Sequence, residues 1–426
     1  MSSAPPVFAL AAGLQSYDWG KLGKESKAAQ YALSAALPDF ELVEDKPYAE
    51  LWMGTHPTLP SKVHGTSETL AAHLATNKSY IGDSVSERFQ VKDGNLPFLF
   101  KILAIRKALS IQAHPDKKFA EKLHAERPDL YKGTPPLYDN HKPEMAIALT
   151  PFKALCGFRP LPEISNFLTT VPELGALIPP TIIAKFTTVA ASPNPNGPAE
   201  KAALREVFSA LMTVEPEQVK GQLSLLIARY KAGAVTPQEV PLRDLAIAIE
   251  SDFPNDIGVF CPFVLNVIDL EPGQAIFLGA GEPHAYISGD IVETMATSDN
   301  VLRAGLTPKV RDVPNLITSL TYESGPGLNH CVRPSQFSDN TLLYDPPIPE
   351  FSVLEVNVPK DGAEKHKALD GPSLAIVTEG EGSVHWDNEE LGLKEGSVIF
   401  IAAGQEVDLK ATCGGLTVYR AFVEAK

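Results

Sequence analysis

The chain is poor in cysteine, in long apolar runs and in positive charge, and each shortage removes a class of protein. Only four cysteines, Cys156, Cys261, Cys331 and Cys413, stand among 426 residues. They lie far apart and form no Cys-x-x-Cys, so neither a disulfide framework nor a thiolate zinc site is indicated. Any metal is therefore expected on nitrogen and oxygen donors. No stretch approaches the roughly eighteen uninterrupted apolar residues of a membrane helix. The opening Met1-Ser2-Ser3-Ala4-Pro5-Pro6 lacks the basic start of a secretory signal, so a cytoplasmic protein without a membrane partner is expected. The net charge of −15 argues against nucleic acid as a partner. In so acidic a chain, a local gathering of cations carries information.

What is present is ordinary for a globular chain of two or three domains, 44% hydrophobic and 21% charged. One stretch stands out, Leu109-Ser110-Ile111-Gln112-Ala113-His114-Pro115. On a strand the side chains alternate, so Leu109, Ile111 and Ala113 face one way while Ser110, Gln112 and His114 face the other. One face is core, and the other offers an imidazole and an amide oxygen to a single ion.

Residues 1–95 are turn-rich, with one helix expected around Lys24–Ala36; Trp19 and His56 are given no role. From Leu96 to Pro151 short apolar strands are broken by a basic helical piece, Asp116–Arg127. Then the texture changes. Leu204, Val207, Phe208 and Leu211, followed by Val219, Leu223, Leu226, Ile227 and Tyr230, are spaced by three and four, the stripe of packed helices, and Pro198 suits a first helical turn. A further helix is expected over 237–250. From Pro262 strands return to the end, with turns at Glu271-Pro272-Gly273, Gly279–Pro283 and Gly380-Glu381-Gly382. The pattern implies a mainly β protein of sandwich or jelly-roll type carrying a helical insertion.

Two stretches match at an offset of 123 residues: Leu270-x-x-Gly273-x-x-Ile276-Phe277-x-x-Ala280-Gly281 and Leu393-x-x-Gly396-x-x-Ile399-Phe400-x-x-Ala403-Gly404. A duplicated β unit follows. The copies diverge at His284, where the second has Val407, so the C-terminal copy is expected to lack a metal site.

The donors left to assemble are Gln112, His114, Glu144 and His284, a set without thiolate that suits zinc or a similar divalent ion. Lys142 shares a strand face with Glu144, and Tyr286 with His284. Lys101, alone in the apolar run Leu99-Phe100-Lys101-Ile102-Leu103, is costly to bury unless paired or lowered in pKa. Arg303 and Lys309 flank a glycine turn and suit a phosphate group.

These segments carry a resemblance. Leu99–Pro115, Asn140–Phe152, Gly281–Tyr286 and above all Gly289-Asp290-x-Val292-Glu293-x-Met295-Ala296-x-Ser298-Asp299-Asn300-x-x-Arg303-Ala304-Gly305-Leu306-Thr307-Pro308-Lys309 resemble the zinc-dependent mannose-6-phosphate isomerases of the eukaryotic and enterobacterial type. The likeness begins at Gln15-Ser16-Tyr17-Asp18-Trp19-Gly20 and runs over nearly the whole chain.

It implies two cupin-like jelly-roll barrels and an α-helical domain. The catalytic barrel would comprise 1–152 and 256–330, the insertion 153–255, and the metal-free C-terminal barrel 331–426. It implies one Zn2+ per chain on Gln112, His114, Glu144 and His284, with Arg303 catalytic and a sugar phosphate as the partner of a monomeric chain. The implied reaction interconverts mannose 6-phosphate and fructose 6-phosphate by moving a proton between C1 and C2. Lys101, with a lowered pKa, and Glu293 are the candidate bases. Ser110, Lys142, Tyr286 and Lys309 are expected to hold the sugar or its phosphate. The rivals are a cupin dioxygenase and a sugar-binding cupin without turnover. The pathway implied is the supply of mannose 6-phosphate toward GDP-mannose.

Overall fold

Alternating and continuous apolar segments organise the chain into two large sheets, every named strand pair of which is antiparallel. The computed structural model describes residues 5–128, 131 and 140–425. The first sheet has eleven strands. Its middle is Phe98–Ile105, whose eight residues are all buried because both faces are covered. Phe98, Phe100 and Ile102 enter the core between the sheets, while Leu103 and Ile105 pack on the other face. Phe98–Ile105 pairs along its whole length with His284–Ala296, which in turn pairs with Glu144–Ala148. The second sheet has ten strands and is built mainly from 335–422. Leu374, Ile376 and Phe400 meet Phe98, Phe100 and Ile102 across the shared core.

The N-terminal strand Val7–Ala11 does not join the first sheet. It pairs with Val398–Ile401 of the second, Val7 opposite Ile401, so a division into 1–152 and 331–426 is crossed by the first strand of the chain.

The helical block forms Pro198–Met212, Pro216–Lys231 and Val240–Asp252 as the sequence indicated and adds Leu161–Thr170 and Pro180–Val189, which no stripe had marked; each has proline in its first turn. Leu204, Phe208, Leu223 and Leu226 pack in one core with Ile111, Ala113, Leu302 and Ala304 of the first sheet. The helices thus back the strands that carry Gln112 and Arg303. The expected early helix is Lys27–Ser34, capped by the Ser26 side chain, and the basic one is Lys117–Glu126, capped by Asp116.

The repeat is realised in detail. Ala275–Leu278 and Val398–Ile401 are strands at an offset of 123, and the strands that follow them begin at His284 and Val407, the same offset. Gly273 and Gly396 have φ of 83° and 82°, Gly281 and Gly404 of 74° and 76°. At these four turns only glycine is free of strain. Register extends the match. Ser373 lies opposite Ile401 as Glu144 lies opposite Leu278. His366 lies opposite Val407 as Gln112 does opposite His284. Arg420 lies opposite Ala375 as Glu293 does opposite Ala146.

Candidate metal centre and cleft

The strand Ile111–Ala113 buries Ile111 and Ala113 in the helical core and leaves Gln112 on the other face, as its alternation requires. Gln112 is the register partner of both His284 and Arg303, so three neighbouring strands set these residues in one row. Glu144 opens its strand opposite Met295 and Leu278.

His114, Glu144 and His284 converge, each offering one donor atom within 4.8 Å of the others. His114 Nε2 stands 3.3 Å from one carboxylate oxygen and His284 Nε2 3.5 Å from the other. All three side chains are buried. His114 Nδ1 donates to the Asn300 carbonyl and His284 Nδ1 to that of Glu282, which fixes each ring and turns its Nε2 lone pair inward. Both Nε2 atoms are buried without a hydrogen-bond partner. Such orphans call for an occupant, and a divalent cation satisfies both at once.

The ionisation states suit that role. Burial, aided by Lys142, lowers the His114 pKa to about 4, so its ring is neutral. Burial works against ionising Glu144, but Lys142, bonded to the carboxylate, holds its pKa well below the usual range. Tyr286 donates to the second Glu144 oxygen at 3.4 Å.

Above this cluster opens a cleft of about 840 Å³. Its walls include Lys101, Ser110, Gln112, Lys142, Glu144, Tyr286, Glu293, Arg303 and Lys309. Every candidate site residue read from the sequence therefore lines the cleft or, as His114 and His284 do, stands beside the carboxylate at its base. Arg303 is half-buried, which lowers its pKa, and Lys309 is exposed at the rim. Ser110 donates to the Gln112 amide oxygen at 3.4 Å.

One expectation fails. Lys101 was expected to have a lowered pKa, and burial does press in that direction, but Glu50 and Glu293 reverse it and the net shift is upward. Glu293 lies 3.1 Å away, and the Trp52 ring lies 4.7 Å from the ammonium. A lone lysine in an apolar run does not reveal the carboxylate that the next strand sets opposite it. Glu293 itself is raised, by burial first, with Lys101 opposing.

Several residues escaped the sequence reading. Glu50 bonds the Trp52 indole, and both line the cleft beside Lys101; their period-two spacing was the available signal. Trp19 also lines the cleft. His56 is buried, 3.3 Å from Asp299 and edge-on to Trp52. Asp256 gave no signal, yet it accepts from the Gly258, Leu306 and Thr307 amides at 2.7, 2.8 and 3.2 Å. It ties the loop after Arg303 to the end of the helical block. The two backbones touch there, since a Cβ on Gly305 would stand 2.8 Å from the Gly258 Cα.

A buried donor set of two imidazoles and a carboxylate, under a cleft walled by lysine and arginine, is the build of a metal-dependent enzyme for a small anionic substrate. Residues 7–161 match the catalytic domain of phosphomannose isomerase type I, 178–265 its helical insertion domain and 341–388 its C-terminal region. A mannose-6-phosphate isomerase of Cryptococcus neoformans is 47% identical over 99% of this chain and 100% of its own length. That of Saccharomyces cerevisiae is 43% identical over 98% and 99%. Among solved structures, a phosphomannose isomerase variant from Salmonella typhimurium aligns with a TM-score of 0.82 at 30% identity, covering 98% of this chain and 99% of that one. A mannose 6-phosphate isomerase bound with zinc and yttrium aligns at 0.81 and 31% identity, covering 99% and 100%. The chain belongs to the type I phosphomannose isomerase family.

Proposed function

We propose that this chain interconverts mannose 6-phosphate and fructose 6-phosphate, using one zinc ion held by Gln112, His114, Glu144 and His284. The observation that carries the reading is the pair of oriented, unpartnered imidazole nitrogens about one carboxylate at the base of the cleft. The names of the full-length relatives and the zinc in a solved neighbour support it. When bound, zinc supplies Lewis acidity toward the oxygens on C1 and C2 of the sugar.

The remaining chemistry belongs to side chains. Glu293, with its raised pKa and its place on the cleft wall, takes the proton from one carbon and returns it to the other. Lys101 stays protonated beside it and answers the negative charge that develops on the sugar oxygens. Arg303, Ser110 and Lys309 hold the phosphate end, and Lys142 and Tyr286 keep Glu144 oriented. Five cationic side chains in one cleft, Lys101, Lys107, Lys142, Arg303 and Lys309, fit an anionic sugar better than the dioxygen of a dioxygenase. The reading extends to a cupin-like jelly roll for each large sheet and to a monomer in the cytoplasm; among the described residues no helix is long and apolar enough to cross a membrane.

The test is formation of fructose 6-phosphate from mannose 6-phosphate before chelation, after it, and with zinc restored. Activity lost with chelator and recovered with zinc is the expected result. Activity that survives complete removal of metal overturns the assignment.

A further inference from the structure

The C-terminal sheet meets the segment that carries Lys142 through the contact of Glu350 with His141. Glu350 lies in the turn between the strands Thr341–Tyr344 and Ser352–Val358, and its neighbour Phe351 is buried in the core shared by both sheets. The Glu350 carboxylate meets His141 Nε2. His141 immediately precedes Lys142, whose ammonium bonds Glu144. Lys142 precedes Pro143, which confines its backbone to extended conformations, so His141 and Lys142 project to opposite sides. One is held by the C-terminal domain, and the other serves the cleft. The same segment is tied inward through the Asn140 carbonyl, which accepts from Ser298 Oγ at 3.0 Å and Asn300 Nδ2 at 2.8 Å. The Asn300 carbonyl in turn accepts from His114 Nδ1.

We infer that Glu350 is a positioning residue for the reaction: through His141 it fixes the segment that carries Lys142, and this gives the C-terminal domain a part in the active site. The inference rests on the functional reading above, but one of its tests does not. Glu350 is neither among the residues lining the cleft nor among the metal donors, so its effect passes through the segment that carries Lys142.

The full-length, zinc-loaded chain is used throughout. Glu350→Ala lowers kcat for mannose 6-phosphate roughly 10- to 100-fold, the scale set by misplacing a positioned group, with zinc content unchanged. In a Lys142→Ala background the same substitution changes kcat less than about twofold, because the group it positioned is gone. Full additivity of the two substitutions overturns the inference. Independently of turnover, dilute acetic anhydride with mass-spectrometric readout follows the acylation rate of Lys142. That rate rises severalfold in Glu350→Ala while Lys309 is unaffected; an unchanged Lys142 rate overturns the inference whatever the enzyme assay shows. His141→Ala cuts the same pair from its more exposed side and must reproduce both effects, which keeps the test open if Glu350→Ala does not fold. A wild-type chain that fails to convert mannose 6-phosphate refutes the functional reading, and the acylation result then decides the positioning role alone.

Discussion

Replacing Asp256 by alanine removes the acceptor of three backbone amides together, those of Gly258, Leu306 and Thr307. Two of them belong to the loop that follows Arg303. Leu306 is held at φ 53°, a left-handed conformation that costs a non-glycine residue about 1–2 kcal/mol and so favours release once the tether is cut. Asp256 is half-buried, so each stranded donor costs about 1 kcal/mol, near the low end for a lost partner. The two in the loop amount to about 2 kcal/mol, and at about 1.4 kcal/mol per tenfold the loop opens roughly 30-fold more often. Residue-resolved hydrogen exchange at Leu306 and Thr307 measures that opening directly. Asp256→Asn sharpens the test, because its single amide oxygen goes where two amides point and keeps Gly258 and Leu306 bonded. Only Thr307, now facing an NH2 group, should exchange faster. Turnover should fall in the order wild type, Asn, Ala, because Arg303 stands at the start of the loop. Exchange in Asp256→Ala equal to wild type, or Asn as fast as Ala at Leu306, refutes the reasoning.

Glu293→Gln should lower kcat by roughly 10²–10⁴, the range for loss of a general base. Because the Glu293 pKa is raised, kcat/KM at saturating zinc should climb with pH through a value above the ordinary glutamate figure of about 4.3, and that limb should vanish in the variant; a limb that persists excludes Glu293 as its source. Lys101→Met strands Glu293 in the interior and should cost roughly 3–5 kcal/mol of stability at neutral pH. The folded pKa of Lys101 lies above the unfolded one, so its contribution is complete below about pH 10.4 and is lost as pH rises through the higher folded value. As pH rises from neutrality, thermal melts of wild type and variant should therefore converge only in strong alkali, and convergence near neutrality would show that the ion pair contributes nothing. Elemental analysis of the purified holoprotein should give one zinc per chain, and two would mean that the C-terminal sheet holds metal as well.

The candidate site was legible wherever it depends on period. Ser110, Gln112 and His114 share a face, as do Lys142 and Glu144, because a strand alternates, and the register of the folded sheet then unites them. The repeat was legible because glycine at four turns leaves a trace in the sequence. What resisted was anything decided by a neighbour from far along the chain. The state of Lys101 is set by Glu50 and by Glu293, the latter 192 residues on, and only strand pairing brings it opposite. Asp256 gives little local sign, since two of its three amide partners lie fifty and fifty-one residues away. The lodging of Val7–Ala11 in the second sheet depends on an apolar edge that only the folded C-terminal half provides. The expected domain limits came from likeness to a family rather than from pattern, whereas the four donors stood as candidates before it.

The register match between the two sheets bears on how the chain avoids loading its ion in the wrong place. Where the first sheet presents Gln112, Glu144, His284 and Glu293, the second presents His366, Ser373, Val407 and Arg420. No carboxylate remains at these four positions, and the added charge is positive. Arg420 is wholly buried yet its pKa falls only to about 10, so it stays cationic at neutral pH, 3.1 Å from the His366 ring. Burial, with that guanidinium adding to it, drives the His366 pKa to about 3. A divalent cation entering this interior would meet a fixed like charge and no anionic donor at these positions. The duplicate keeps the architecture of the first sheet without its donor set, so it offers the proposed ion no decoy during folding.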